Sequence, residues 1–170
     1  MQEIRFSIVI PAYNASKSIV TTLDCVKAQT YRNFEVIIVD DKSADAAELA
    51  QVVRSERYQD LAIKLELSEV KLNGAGARNK GIELATGDFI SFLDADDEWH
   101  PDKLLVASET IAKLEAQGKS RYVIFSQVNI HRWQLPQGDA DATARQKRNR
   151  GRVSVWLLRL YSNQHHCAEA

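Results

Sequence analysis

The chain has 170 residues, 45% of them hydrophobic and 26% charged. That suffices for one domain with a sizeable core and excludes a disordered or fibrous chain. The formal net charge is -1, so no global field draws the chain to nucleic acid, and an anionic substrate must be held by a local device. Two cysteines, Cys25 and Cys167, provide neither a metal-ligand spacing nor a disulfide framework, which fits a reducing cytosol.

Phe6 to Ala12 is too short for a signal-peptide core and follows the acidic Glu3. No stretch approaches the roughly 20 apolar residues needed to span a bilayer. Val153 to Tyr161 is too short and is interrupted by Arg159, so the chain as given reads as soluble.

In chain order, Phe6 to Ile10 is a continuous apolar run, as expected of a strand buried on both faces in a parallel sheet. Ser16 to Ala28 follows with Ile19, Leu23 and Val26 on one helical face and Ser16 as its cap. Phe34 to Val39 predicts the second buried strand. Asp45 to Arg54 predicts a helix carrying Leu49, Val52 and Val53 behind an Asp cap. Leu61 to Leu67 predicts a weaker strand. Gly76 to Ala85 predicts a helix with Ala77, Ile82 and Ala85 inward, closed by Gly87. Phe89 to Leu93 predicts another buried strand. A helix from Pro101 to Gln117 with Leu104, Ile111 and Leu114 inward stops at Gly118, and Tyr122 to Ile130 predicts a last strand. This alternation predicts an open, mostly parallel α/β sheet with right-handed crossovers.

After about Arg132 the pattern fails. Gln134 to Arg152 has no apolar period, and Arg145, Lys147, Arg148, Arg150 and Arg152 form a basic cluster, more plainly a solvated segment than a phosphate-contacting loop. The expected division is an α/β domain over 1–132 and an atypical basic segment, partly disordered or a remnant, over 133–170.

The chemistry concentrates at strand ends, where open parallel sheets bind ligands. The first strand ends in Pro11-Ala12-Tyr13-Asn14, the second in Asp40-Asp41-Lys42-Ser43, and the Phe89 strand in Asp94-Ala95-Asp96-Asp97. Alternation places Asp94 and Asp96 on one side. Clustered carboxylates repel unless a cation neutralises them, and hard oxygen ligands suit Mg²⁺ or Mn²⁺ bridging a diphosphate. A bare DxDD would otherwise read as an acidic loop capping the helix near Pro101; its company at a buried strand end favours the metal. One of Asp40 and Asp41 is expected to accept from a uracil imide or ribose hydroxyl, with Ser43 and Asp45 mainly capping the next helix. Tyr13 offers its ring to the base, or is simply a surface aromatic at a turn.

Asn73 to Asn79 leads into a helix whose N-terminus and two glycines suit an anion, with Arg78 in reach of a phosphate or base edge. Asn79 stands where a dinucleotide fingerprint needs its last glycine, which argues against a dehydrogenase. Ala12-Tyr13-Asn14-Ala15 replaces the glycine- and basic-rich loop of a nucleotidyltransferase.

SIVIPAYN at Ser7 to Asn14, IIVDDKSAD at Ile37 to Asp45 and GAGARNKGIELATGDFISFLDADDEW at Gly74 to Trp99 resemble glycosyltransferase family 2 over roughly residues 4 to 130. The resemblance implies a GT-A fold: a Rossmann-like three-layer α/β sandwich with helices on both faces of a mostly parallel sheet. It implies a nucleoside-diphosphate-sugar site in which Asp41 contacts the base, Pro11, Ala12 and Tyr13 wall its pocket, Asp40 lies beside it and Arg78 stands near the nucleotide. Asp94, Ala95 and Asp96 match its D-x-D, with Asp94 and Asp96 holding Mn²⁺ or Mg²⁺ and Asp96 the more direct ligand. It further implies inverting transfer from a donor such as a UDP-sugar to a glycan or lipid-linked acceptor, in the cytoplasm or at the inner face of the membrane, for cell-wall or lipopolysaccharide assembly. The family's catalytic base lies beyond the D-x-D. Here Asp139, Asp141 and Glu169 are the candidates, none in family-like sequence, so no base is assigned. A non-catalytic nucleotide-sugar-binding remnant is the alternative. His165 and His166 are adjacent, which is no helix-face metal spacing, and read as tail residues.

Overall fold

The computed structural model describes residues 3–119 and 122–124, together with the backbone of 157–159. Four parallel strands, β1 (Phe6–Ala12), β2 (Phe34–Asp40), β3 (Ile63–Leu67) and β4 (Phe89–Phe92), alternate with α1 (Ile19–Lys27), α2 (Ala46–Val53), α3 (Asn73–Leu84) and α4 (Lys103–Ala116). A 3-10 turn at Glu56–Tyr58 lies between α2 and β3. A short β5 (Leu157–Arg159) runs antiparallel to β4, so the sheet order is β3-β2-β1-β4-β5.

The continuous apolar runs are explained by the two faces they serve. Phe6, Ile8 and Ile10 of β1 and Val36 and Ile38 of β2 pack against Ile19, Leu23 and Val26 of α1, Leu49 and Val53 of α2, and Leu104 and Ile111 of α4. The intervening Val9, Ile37 and Val39 meet Ala77 and the partly buried Ile82 of α3, with Ala85 just beyond its end, on the other face. This is the expected sandwich. Each fully buried aliphatic side chain contributes about 1.5–3 kcal/mol relative to exposure, so the two faces together define β1 and β2 as the centre of the fold.

α3 lies close on the sheet because Gly81 is there. A Cβ at Gly81 would stand 2.2 Å from Cγ1 of Val9, an approach no larger residue tolerates without a shift.

The helix starts differ from expectation. α1 begins at Ile19, and neither it nor α2 has a side-chain cap. Ser16 and Asp45, both expected as caps, instead bond to each other: the Ser16 N–H donates to Asp45 Oδ2 at 2.9 Å. Ser43 accepts the Asn14 N–H at 2.9 Å, and Asn14 Oδ1 accepts the Ala44 N–H at 3.1 Å. The loops after β1 and β2 thus clasp each other. Cys25, expected to be buried, is half-buried; its thiol donates to the Thr22 carbonyl and accepts the Trp99 N–H. Burial pushes that thiol up to about 11.

Of the strand expected over Tyr122 to Ile130, only 122–124 are described, with an isolated bridge at Ile124. Within 133–170 only Leu157–Arg159 is described, and the basic cluster lies outside the described residues. No helix among the described residues is long and apolar enough to cross a membrane.

Candidate nucleotide-sugar site

The chain lays β1, β2 and β3 side by side, then returns to place β4 on the other flank of β1. A reversal of this kind opens a crevice outside the carboxyl ends of the strands. There a pocket of about 600 Å³ is lined by residues 11–15, Asp41, Lys71, Asn73, Gly74, Ala77, Arg78 and 94–96, with Ser18. Eight of the nine expected nucleotide-sugar residues line it: Pro11, Ala12, Tyr13, Asp41, Arg78, Asp94, Ala95 and Asp96.

The ninth, Asp40, does not. It is 1% exposed, and its Oδ2 accepts the Ser43 N–H at 2.9 Å. As the last residue of β2 it points inward by alternation and shapes the turn that delivers Asp41. Its Oδ1 is buried with no hydrogen-bond partner.

Asp41 is also buried, 4% exposed, but lies in the pocket wall. Its Oδ1 accepts the N–H groups of Leu72 and Asn73, the latter at 3.0 Å, and its Oδ2 meets the Lys71 ammonium at 3.0 Å. Burial raises the Asp41 carboxyl, but these donors outweigh it and hold its pKa below the usual aspartate value. The start of α3 is thus already held by an internal carboxylate, the favourable placement for an anion at a helix N-terminus. Tyr13 is 57% exposed at the same end, and the Lys71 Nζ lies 3.0 Å from its ring centroid.

At the opposite end, Arg78 is ion-paired to Asp94 and donates to the Gly74 carbonyl at 3.2 Å. Ala95 is buried in the larger core, which fixes the chain between Asp94 and the exposed Asp96. Asp96 has no ion pair among the described residues. Asp97 lies just outside the pocket; burial, then the charges of Asp94 and Asp96, raise its pKa. This concentration of hard, negative oxygen donors fits a divalent cation. Among the described residues no three His, Cys, Asp or Glu side chains converge as a protein-only site. Two carboxylates completed by substrate phosphates are the coordination that Mg²⁺-type ions accept.

The acidic run is anchored from behind by residues that carry no sequence signature. Gln29, 2% exposed, donates to the His100 carbonyl at 2.9 Å and accepts the Leu104 N–H at 3.1 Å. Thr22 donates to the Asp97 carbonyl at 3.0 Å. Lys71 was also missed, since a lysine in a loop before a helix reads as solvent-facing. Asp139, Asp141, Glu169, His165 and His166 lie outside the described residues.

The comparisons with known proteins agree with this geometry. The chain is 68% identical over 130 residues to the amylovoran biosynthesis glycosyltransferase AmsB of Erwinia amylovora, covering 76% of this chain and 43% of that protein. It is 38% identical over 104 residues to WfgD of Escherichia coli, a UDP-Glc:alpha-D-GlcNAc-diphosphoundecaprenol beta-1,3-glucosyltransferase, covering 61% and 40%. The chain thus spans less than half the length of these curated relatives. Among solved structures, S. aureus TarS 1-349 in complex with UDP-GlcNAc aligns with a TM-score of 0.64 and 28% identity, covering 79% of this chain and 37% of that one. The mannosyltransferase PcManGT of Pyrobaculum calidifontis, in complex with GDP-Man and Mn²⁺, aligns at 0.56 and 30%, covering 64% and 32%. The fold is the GT-A arrangement that the resemblance implied. The sequence profile of Glycosyl transferase family 2 matches residues 7–166, and the chain belongs to that family.

Proposed function

We propose that this chain carries the donor-binding part of a metal-assisted, inverting glycosyltransferase that takes a UDP-sugar. The observation that carries this is one pocket with an aromatic face and a buried carboxylate at one end, Tyr13 and Asp41, and Arg78, Asp94 and Asp96 at the other. That polarity matches a nucleoside diphosphate: base over Tyr13 with an N–H toward Asp41, diphosphate toward Arg78 and the D-x-D. Asp94 and Asp96 would hold Mn²⁺ or Mg²⁺, which when bound neutralises charge on the departing diphosphate. The names of TarS and WfgD point to UDP-sugars, and that of PcManGT to Mn²⁺.

The names of AmsB and WfgD support a glycan or lipid-linked acceptor, and a lipid-linked one would bring the protein to the cytoplasmic face of the membrane. The acceptor hydroxyl needs a carboxylate base on the far side of the sugar. Every carboxylate lining the described pocket has a donor-side task, so a second reading is donor binding without transfer by this chain. A transfer or donor-hydrolysis assay separates the two, since turnover requires the base.

The test of the donor site is calorimetric titration of UDP with and without Mn²⁺. Binding should depend on the metal and weaken at least tenfold in Asp96→Ala; equal binding by wild type and variant would refute the site.

A further inference from the structure

The base end of the pocket is filled by a side chain of the chain itself. Lys71 places its ammonium 3.0 Å from the centroid of Tyr13 while donating to the Asp41 carboxylate at 3.0 Å and to the Asp41 backbone carbonyl at 3.1 Å. It therefore uses both features that a nucleobase would use there, the π face and the hydrogen-bond acceptor. A cation on an aromatic face is attracted by the ring quadrupole, and the neighbouring carboxylate adds to that hold. An imide N–H stacked on Tyr13 and directed at Asp41 would need the same space.

Resting on the donor-site reading above, we propose that Lys71 is a displaceable internal occupant of the base subsite, and that a nucleotide enters by exchanging its stack on Tyr13 for the lysine's. The route out is short, because the Lys71 side chain is already 43% exposed. The adjoining segment is tethered lightly: Ser68 bonds the Val70 carbonyl and amide, and Val70 itself is 61% exposed. Asp41 keeps its two backbone donors, Leu72 and Asn73, when the ammonium leaves, so its carboxylate stays oriented for an incoming N–H. The exchange places a cost on base binding that the lysine sets and that phosphate contacts at the far end do not share.

The experiment is NMR on the chain with ¹³C-labelled lysine, with Lys71→Met used to assign the Lys71 signal. Protons held over a ring face resonate upfield, so the Lys71 ε-methylene should be shifted upfield in the protein alone and return to its ordinary position as UDP and Mn²⁺ saturate the site. An unshifted signal in the protein alone overturns the proposal. So does an upfield signal that persists at saturation while other resonances move; that result leaves the donor site standing. If UDP moves no resonance at all, the donor-site reading fails and the proposal with it. As a second measurement, uridine, which has no phosphate, should bind Lys71→Met about 2- to 30-fold more tightly than wild type, the range spanned by a single cation–π contact. No gain in a variant whose spectrum remains folded overturns the proposal.

Discussion

Arg78 on α3 is ion-paired to Asp94 beyond β4, so two polar residues of the Gly74 to Trp99 segment meet at one end of the pocket. The pair gives the acidic run a cation of its own, and it makes one residue a partner both for Asp94 and for a phosphate. Replacing Arg78 should therefore have effects of opposite sign on two ligands. In Arg78→Gln, Mn²⁺ alone should bind more tightly, because Asp94 has lost its counter-ion. UDP without metal should bind more weakly by about 1 kcal/mol, a value held low by the partial exposure of the pair. Mn²⁺ electron paramagnetic resonance and metal-free UDP titration read the two separately. A loss on both would show that Arg78 orders the pocket rather than competing in it.

Gly81 lets α3 rest on β1, with any Cβ 2.2 Å from Val9. Gly81→Ala should cost about 1–3 kcal/mol, as overpacking in a filled core does, measured by the urea midpoint. Because Asn73 and Arg78 ride on the same helix, UDP affinity should fall as well. An unchanged midpoint would show that the helix shifts freely.

Gln29 closes a buried link from α1 to the segment after the acidic run, satisfying both the His100 carbonyl and the Leu104 N–H. Gln29→Leu keeps the bulk but strands the Leu104 N–H, while the His100 carbonyl loses one donor and keeps the Lys103 N–H at 2.9 Å. A loss of about 1–3 kcal/mol is expected, the cost of one stranded buried polar group. Thermal unfolding checks the size. A neutral outcome would mean that the segment finds other partners.

Three carboxylates tie loops together in their ionised forms. Burial raises Glu35, but Ser7, Thr86 and Arg5 outweigh it; burial raises Asp45, but Ser16 outweighs it; Asp41 behaves alike. All three have folded pKa values below their ordinary ones. Their stabilisation is complete above the unfolded carboxylate range of about 4 and is lost as pH falls through the lowered folded values. Asp97, raised, acts in the opposite sense, one group against four, since the Lys27 hydrogen bond holds the exposed Asp60 low as well. The melting temperature should hold from neutral pH to about 5 and then fall. Glu35→Gln should flatten that fall; a melting temperature that rises on acidification would contradict the assignment.

The sequence disclosed the fold well where apolar runs were continuous, because Val9 and Ile10, or Ile37 and Ile38, must serve opposite faces of one sheet. It disclosed the pocket almost as well, since strand ends in a parallel sheet converge whatever their order. It missed the cross-loop bond of Ser16 and Asp45, although Asp45 does hold the N-cap position of α2, and it grouped the buried Asp40 with the pocket residues. A polar side chain beside a helix start or strand end has local and cross-loop partners within similar reach, and only three-dimensional proximity chooses between them. Lys71, Gln29 and Gly81 escaped for a related reason. Each matters through a contact with a residue distant in sequence, Tyr13 and Asp41, His100 and Leu104, or Val9.

The central claim is that one pocket spans base and diphosphate between Tyr13 and Asp96. A crystal structure of the chain with UDP and Mn²⁺ tests it most directly. Uracil density on Tyr13 with its imide at Asp41, and an anomalous Mn²⁺ peak beside Asp96 and the diphosphate, is the expected result. UDP bound elsewhere, or bound here with its diphosphate turned away from Asp94 and Asp96, would contradict it.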